Sequence, residues 1–106
     1  MMNATVTIRL GNGNGPTSAS SLTSMRMLRE FALDDSGGYT HSIRQGGWRD
    51  PETNITYTEG VFELTFDTTH WNSTHDALVP VLEEIKELTG EQCIYVNVIR
   101  GNTLFI

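Results

Sequence analysis

The 106-residue sequence contains only one cysteine and three prolines, and it has no long apolar run. A disulfide needs two cysteines, so none forms within the chain, and Cys93 is interpreted as a small buried side chain. A membrane span needs about 20 successive apolar residues, and the N-terminus has no basic segment followed by an apolar one. The sequence therefore predicts a cytoplasmic protein that makes no membrane contact.

Basic residues are also scarce, with 7 lysines and arginines against 13 aspartates and glutamates, which gives a net charge of −6. An acidic surface repels phosphate groups, so nucleic-acid binding is not expected. One exception stays open, because an acidic protein can mimic DNA and occupy a DNA-binding enzyme. The 38% of hydrophobic residues is typical of a globular protein, and the length predicts a single domain over residues 1–106.

Hydrophobic periodicity in the first third predicts a strand and a helix. Val6, Ile8 and Leu10 alternate with polar residues, as in a half-buried strand. After the glycine-rich segment GNGNGP at 11–16, apolar residues from Leu22 onwards recur at helical spacing, and the helix is expected to stop at the turn sequence DDSGG. The glycine-rich segment is interpreted either as a flexible connection or as a lid that lends backbone amides to a ligand.

The remaining sequence predicts a hairpin, a second helix and a last strand. The strand sequences YTHSIRQGGW and ITYTEGVFELTF flank the turn sequence RDPETN, and the last strand is CIYVNVI. The helix is predicted from Thr74 to Leu88, with Gly90 as its stop. Because proline disrupts a helix interior, Pro80 requires either that the helix begins near Asp76 or that it kinks.

The element order β-α-β-β-α-β predicts an α+β fold, a ferredoxin-like sandwich in which two helices cover one face of a four-stranded antiparallel sheet. The other face would stay open. Two alternating sets of the last strand could face outward there, and they are Cys93, Tyr95, Asn97 and Ile99 or Ile94, Val96 and Val98. Both sets are partly apolar, and exposed apolar surface usually binds a partner, so self-association as a dimer or trimer is expected.

The hairpin is the strongest candidate for a site, because patterns of other common sites are absent. The three histidines lack metal-ligand spacing, and no phosphate-binding loop or nucleophile motif is present, so neither metal nor cofactor is expected. Trp48 and Glu59 lie eleven residues apart across a turn centred near residue 53, which predicts near-opposite positions on paired strands. An aromatic ring beside a carboxylate would attract a cation. The alternative is an interface tryptophan and an ordinary surface glutamate.

The segments GGWRD, TYTEGVFEL and EQCIYV, with the helix that precedes the last of them, resemble the bacteriophage S-adenosylmethionine lyases. That family has a Gly-x-Tyr-Arg/Lys element, a glutamate eleven residues after the aromatic residue, and a glutamine-containing element at the last strand. The matching residues here are Gly46, Trp48, Arg49, Glu59, Glu91, Gln92 and Cys93. Tryptophan replaces the family's tyrosine, and the resemblance covers about the C-terminal two thirds of the chain.

This resemblance implies a ferredoxin-like homotrimer with ligand held between subunits. It implies a lyase that splits S-adenosylmethionine into 5′-methylthioadenosine and L-homoserine lactone through attack by the substrate's own carboxylate. In the cytoplasm of an infected bacterium, such an enzyme depletes the methyl donor and has an anti-restriction role. The resemblance implies catalytic roles for Glu59 and Trp48. The substrate-binding residues that it implies are Gly46, Gly47, Arg49, Tyr57 and Gln92.

An alternative from another class is a non-catalytic acidic phage protein that binds and inhibits a host defence or DNA-processing protein. The acidic face of the second helix, with Glu83, Glu84 and Glu87, would then contact the partner. Charge reversal at these three positions is expected to weaken capture of the partner.

Overall fold

The described elements follow the predicted order. A computed structural model describes residues 2–11, 19–91 and 94–102, and its elements in chain order are β1 Met2–Gly11, α1 Ala19–Ser36, β2 Thr40–Arg49, β3 Thr56–Thr68, α2 Trp71–Thr89 and β4 Tyr95–Asn102. The fold is α+β, with two helices and an antiparallel sheet, as predicted. Residues 12–16 of the glycine-rich segment lie outside the described residues, and so do Gln92 and Cys93.

The described strands pair in the order β2-β3-β1-β4, and all neighbours are antiparallel. Ile8 of β1 lies opposite Leu64 of β3 on one side and opposite Val96 of β4 on the other. Ile8, Leu64 and Val96 therefore lie on the same side of the sheet, and in each of these three strands every second residue faces the helices. Within the described ranges the sheet has four strands.

One sheet face and both helices enclose the hydrophobic core. The fully or nearly buried side chains of the core are Val6, Ile8, Leu10, Met25, Leu28, Ala32, Phe62, Leu64, Phe66, Leu78 and Ile85. They include the alternating residues of β1, as predicted from the sequence. Burial of one such leucine or isoleucine side chain contributes about 1.5–3 kcal/mol, so this cluster is the main source of stability.

The junction between α1 and α2 corrects the prediction that Asp35 is a turn residue. Asp35 lies in the last turn of α1, which ends at Ser36. Its carboxylate accepts hydrogen bonds from the Thr74 hydroxyl at 2.9 Å and the Ser36 hydroxyl at 2.7 Å. Since Thr74 belongs to the first turn of α2, the negative charge lies where a helix N-terminus favours it. Thr68 shares a further buried hydrogen bond with Thr74, at 2.8 Å, which connects β3 to the same junction.

Helix α2 is longer than predicted, and the expectation that it begins near Asp76 is wrong. It begins at Trp71, so Pro80 lies in its interior and cannot donate a backbone hydrogen bond there. The predicted stop is confirmed, because Gly90 has φ 76° and its N–H binds the Lys86 carbonyl at 2.9 Å. In the described part of the chain, neither helix has the length and apolar character that a membrane crossing requires.

The sheet face opposite the helices carries both polar and apolar side chains. On its two central strands, the Thr5 hydroxyl donates to the Asp67 carboxylate at 2.6 Å, and Thr7 shares a hydrogen bond with Thr65 at 3.1 Å. The pairing of β4 with β1 places Tyr95, Asn97 and Ile99 on this face, which decides between the two predicted sets for the described residues. The apolar side chains of this face include Tyr95 and Ile99 on the edge strand β4 and Val61 on β3. The face is therefore partly apolar, and self-association through it stays a prediction.

Strands β2 and β3 continue as a two-stranded segment past the described end of β1. Over residues 2–11, the last pair between β1 and β3 is Gly11 with Val61, whereas β2 and β3 remain paired as far as Arg49 and Thr56. We call residues 45–60 the arm. Its presence is consistent with the elongated shape of the molecule, which measures 49 × 26 × 22 Å.

Candidate functional site

The register of the arm differs by two residues from the prediction. Trp48 lies opposite Tyr57, and Glu59 lies opposite Gly46, so Trp48 and Glu59 are diagonal neighbours and not direct partners. The turn fixes this register, because the Asp50 backbone N–H binds the Ile55 carbonyl at 2.9 Å and closes a four-residue loop. The turn therefore lies where it was predicted, near residue 53, and only the direct partner of Trp48 differs.

The loop itself is held by the turn chemistry that the sequence predicts. The Asp50 carboxylate accepts a hydrogen bond from the Glu52 backbone N–H at 2.8 Å, in the manner of an Asx turn. Asn54 has φ 60°, a left-handed conformation that asparagine tolerates better than most residues, as predicted. This short, hydrogen-bonded loop sets which residues of the arm face each other.

Trp48 and Tyr57 form a stacked aromatic pair at the outer half of the arm. Their ring centroids are 4.7 Å apart and their planes differ by 21°. The two side chains nevertheless remain 54% and 42% exposed, so the pair packs against little besides itself. Aromatic rings of this kind offer a flat apolar surface, and the faces of such rings attract positive charge.

Gly46 leaves a gap in the row of β2 side chains between Arg44 and Trp48. Alternate residues of a strand share a face, so these three positions lie on the same side of the arm. A Cβ atom on Gly46 would lie 3.4 Å from the Cγ2 atom of Val61, which places the gap directly beside Val61. The gap also lies at the register position of Glu59 on the partner strand.

A group of charged and aromatic side chains lies on the open sheet face at the base of the arm. The Arg9 Nε–H donates to Glu63 at 2.7 Å, and Arg44 lies 3.6 Å from the other oxygen of the same carboxylate. The Arg9 guanidinium also lies 4.5 Å from the centroid of the Tyr95 ring. The hydrogen bond to Glu63 raises the pKa of Arg9 above its ordinary value. Two arginines thus share one carboxylate whose side chain is only 16% exposed.

A cleft of about 340 Å³ lies beside this group, where β1 ends and β4 begins. Its lining includes Arg9, Val61, Glu91 and Tyr95. Small-molecule sites occupy about 300–1,000 Å³, so the cleft has a sufficient volume for a metabolite. Val61 borders both the cleft and the Gly46 gap, so the cleft lies next to the base of the arm.

The remaining predicted site residues are distributed as follows. Gly47 and Arg49 lie on the arm on the strand side opposite to Trp48, and Arg49 donates a hydrogen bond to the Thr56 hydroxyl at 3.0 Å. A Cβ atom on Gly47 would approach the Tyr57 carbonyl oxygen to 3.2 Å, so close strand contact favours glycine there.

Gln92 lies outside the described residues. Over residues 2–11, 19–91 and 94–102, no group of three or more histidine, cysteine or acidic side chains could hold a metal ion.

Sequence reasoning missed the group formed by Arg9, Arg44, Glu63 and Tyr95. Each of the first three residues had an outward position by strand alternation, but the pairing that joins them depends on a register between strands over fifty residues apart. The sequence did contain one signal of this group. Alternation places an arginine and a glutamate at outward positions of two strands that are predicted to be central. The acidic face of α2 is exposed at Glu83, Glu84 and Glu87, and its binding role stays a prediction.

The fold of this chain is shared with solved structures of other proteins. No protein-family model matches the sequence, and no curated protein matches it either. Three of the similar solved structures illustrate the range of proteins with this fold. A Bacillus cereus protein related to NIF3 has a TM-score of 0.59 and 12% identity over 96% of this chain, which spans 26% of that protein. The B. subtilis GlnK–ATP complex has a TM-score of 0.56 and 14% identity, with 92% of this chain and 82% of that one covered.

The third similar structure is a phage SAM lyase in complex with S-methyl-5′-thioadenosine. It has a TM-score of 0.53 and 11% identity, with 92% of this chain and 79% of that chain covered. Identities this low show a shared fold and no more. Because the three proteins carry different descriptions, the fold does not distinguish among their functions.

Proposed function

We propose that this chain is an S-adenosylmethionine lyase that forms 5′-methylthioadenosine and L-homoserine lactone. One observation carries the proposal: the first and the third motif segments both contribute residues beside Val61 of the second, although α2 separates the third segment from the hairpin. Gly46 lies against this side chain, Glu59 precedes it by two residues on β3, and Glu91 lines the cleft beside it. The similarity in fold to a phage SAM lyase is consistent with this proposal.

The proposed reaction requires little chemistry from protein side chains. The substrate carboxylate attacks its own γ-carbon, so that a C–O bond forms while the bond between the γ-carbon and sulfur breaks. The electron pair of that bond stays on sulfur and neutralises the sulfonium charge, and no proton is transferred. The protein has to hold the substrate in a folded conformation and exclude water, and such positioning can lower the barrier by about 7–11 kcal/mol.

The arm supplies the proposed binding groups. The stacked pair of Trp48 and Tyr57 offers a surface for the adenine ring, and Tyr57 provides the phenol hydroxyl that Trp48 lacks. Gly46 carries no side chain, and it is proposed to let the ligand approach the β2 backbone beside these rings. Glu59 is proposed to bind the substrate ammonium. A carboxylate against the sulfonium would stabilise a charge that disappears in the transition state, and would therefore slow the reaction.

The assembly and the whole-chain fold belong to the same proposal. We propose one ferredoxin-like domain over residues 1–106 that acts in the cytoplasm as a homo-oligomer, with a trimer favoured. The support is the exposure of the arm on both sides, since a neighbouring copy would bury the stacked rings and close the cleft. Sedimentation of the purified chain tests this part: a mass three times that of the monomer is expected, and a monomer at all concentrations would contradict it.

The lyase activity is tested by incubation of the purified chain with S-adenosylmethionine and chromatography of the products. Because the substrate decomposes slowly by itself, a solution without protein is the reference. We expect 5′-methylthioadenosine and homoserine lactone to appear at a rate proportional to protein concentration. S-adenosylhomocysteine should stay intact, because its neutral sulfur would have to leave as a thiolate. Product formation no faster than in the reference would contradict the proposal.

A further inference from the structure

A second cleft, of about 440 Å³, lies at the end of the sheet opposite the arm. It lies between the start of β1, the end of β3 and the loop from α1 to β2. The residues that line this cleft include the polar and aromatic residues Asn3, Tyr39, Thr40, Thr65, Asp67 and Thr69. None of these residues belongs to the proposed lyase site, and the function proposed above makes no use of this cleft.

Asn3 is the most unusual residue of this second cleft. It is only 7% exposed, and its Oδ1 atom is buried without a hydrogen-bond partner. Among the side-chain oxygens and nitrogens that are buried in the described part of the chain, the Oδ1 atom of Asn3 is the one without a hydrogen-bond partner. An unpaired buried acceptor costs about 1–3 kcal/mol. Asn3 lines this cleft and also a smaller one that contains Arg100, and a donor that reaches its Oδ1 atom from the first cleft would recover that cost.

The other groups of this cleft favour a donor that carries positive charge. Asp67 contributes a carboxylate, and the Thr5 hydroxyl that donates to it at 2.6 Å occupies only one of its oxygens. The threonine hydroxyls around it add further oxygen acceptors, and the half-buried Tyr39 adds an aromatic ring. None of the described residues that line the cleft is basic. An anion would therefore meet a like charge and no compensating cation.

We propose that this cleft binds an organic ammonium group, with Asp67 as its counter-ion and the Asn3 side-chain oxygen as a hydrogen-bond acceptor. An ammonium group donates up to three hydrogen bonds, which suits a set of oxygen acceptors, and its charge is attracted to the Tyr39 ring. A bound divalent metal usually takes several carboxylates, whereas Asp67 is the sole carboxylate among the described residues of the lining. The ligand class is therefore a small primary amine in its protonated form.

The test uses methylammonium chloride as the probe and the backbone amide NMR spectrum of the whole chain as the readout. Saturable shifts are expected at Asn3, Thr40 and Asp67, and not at the arm. Tetramethylammonium chloride carries the same charge without N–H donors, so we expect it to bind about tenfold more weakly. Equal shifts with sodium chloride or with tetramethylammonium would overturn the proposal, because the site would then recognise charge alone.

Matched variants assign the shifts to the proposed groups. Asp67→Asn keeps an acceptor for Thr5 but removes the charge, and we expect methylammonium to bind about tenfold more weakly. The control Asp76→Asn makes the same change of charge on the exposed surface of α2 and should leave binding unchanged. In Asn3→Leu, the near-isosteric side chain lacks the acceptor, and binding should fall while Asn97→Leu preserves it. Unchanged affinity in Asp67→Asn or Asn3→Leu would overturn the proposal.

Discussion

The sheet body and the arm are built from the same two strands but are stabilised in different ways. In the body, β3 buries Phe62, Leu64 and Phe66 beneath the helices. In the arm, the same strand places Thr56, Tyr57 and Thr58 in solvent. The body thus depends on burial, whereas the arm depends on its backbone ladder, its turn and one aromatic stack. The comparison indicates that residues of the arm can change with little effect on the fold.

This division matters for function because a two-stranded hairpin is only marginally stable by itself. The arm retains its register because the body fixes one end and the Asp50 turn fixes the other. Side chains between those two ends contribute little to burial and are free to serve a ligand. The sequence motif that resembles the lyases lies largely in this stretch, where packing does not explain it.

The largest expected effect is the loss of a core side chain from the body. Leu64→Ala removes a fully buried side chain, and the free energy of unfolding should fall by about 2–5 kcal/mol. Ile55→Ala, at the end of the arm, is the matched control and should cost less than about 0.5 kcal/mol. Urea unfolding measures both values. Equal losses in the two variants would refute the distinction between body and arm.

A smaller effect is expected at the junction between the helices. Thr74→Val removes the hydroxyl that bonds to both Asp35 and Thr68, and leaves those polar groups without it. The expected loss of unfolding free energy is about 1–3 kcal/mol. Thr58→Val makes the same substitution on the exposed arm and should be nearly neutral. If both variants unfold at the same urea concentration, the junction does not stabilise the body.

The aromatic stack should affect the arm alone. Trp48→Ala removes a contact worth about 0.5–1.5 kcal/mol, which should loosen the arm without unfolding the body. Hydrogen exchange should become faster at the amides of Tyr57 and Thr58 and stay unchanged at Ile8 and Leu64. Trp48→Phe keeps an aromatic ring and should restore most of the protection. Faster exchange throughout the sheet would show that arm and body unfold together.

Sequence patterns predicted the body better than the arm, for a physical reason. Alternation in β1 and β3 reports burial directly, and the left-handed Gly90 gives a local signal for the end of α2. The register of the arm depends instead on how the Asp50 turn closes, and neither strand of the arm has a buried face to select a register. The junction at Asp35 was missed because its partner, Thr74, lies 39 residues away.

The same reasoning explains what was predicted of the candidate site. The residues of the motif were identified from sequence, and the structure places Gly46 and Glu59 on one rung of the ladder. Trp48 was assigned the wrong direct partner, because a shift of two residues keeps every side chain on the same face and leaves the pattern unchanged. The group around Arg9 needed strand pairing between distant segments, which no local pattern contains.

The most direct test of the central claim, that the arm carries the chemistry while the body carries the fold, is a comparison of two glutamate variants. Glu59→Gln and Glu52→Gln change the net charge equally within the same hairpin, and 5′-methylthioadenosine formation and the melting temperature are measured for both. We predict that Glu59→Gln lowers kcat/KM about 10- to 100-fold at an unchanged melting temperature, and that Glu52→Gln retains full activity. Full activity in Glu59→Gln, or an equal loss in both variants, would contradict the claim.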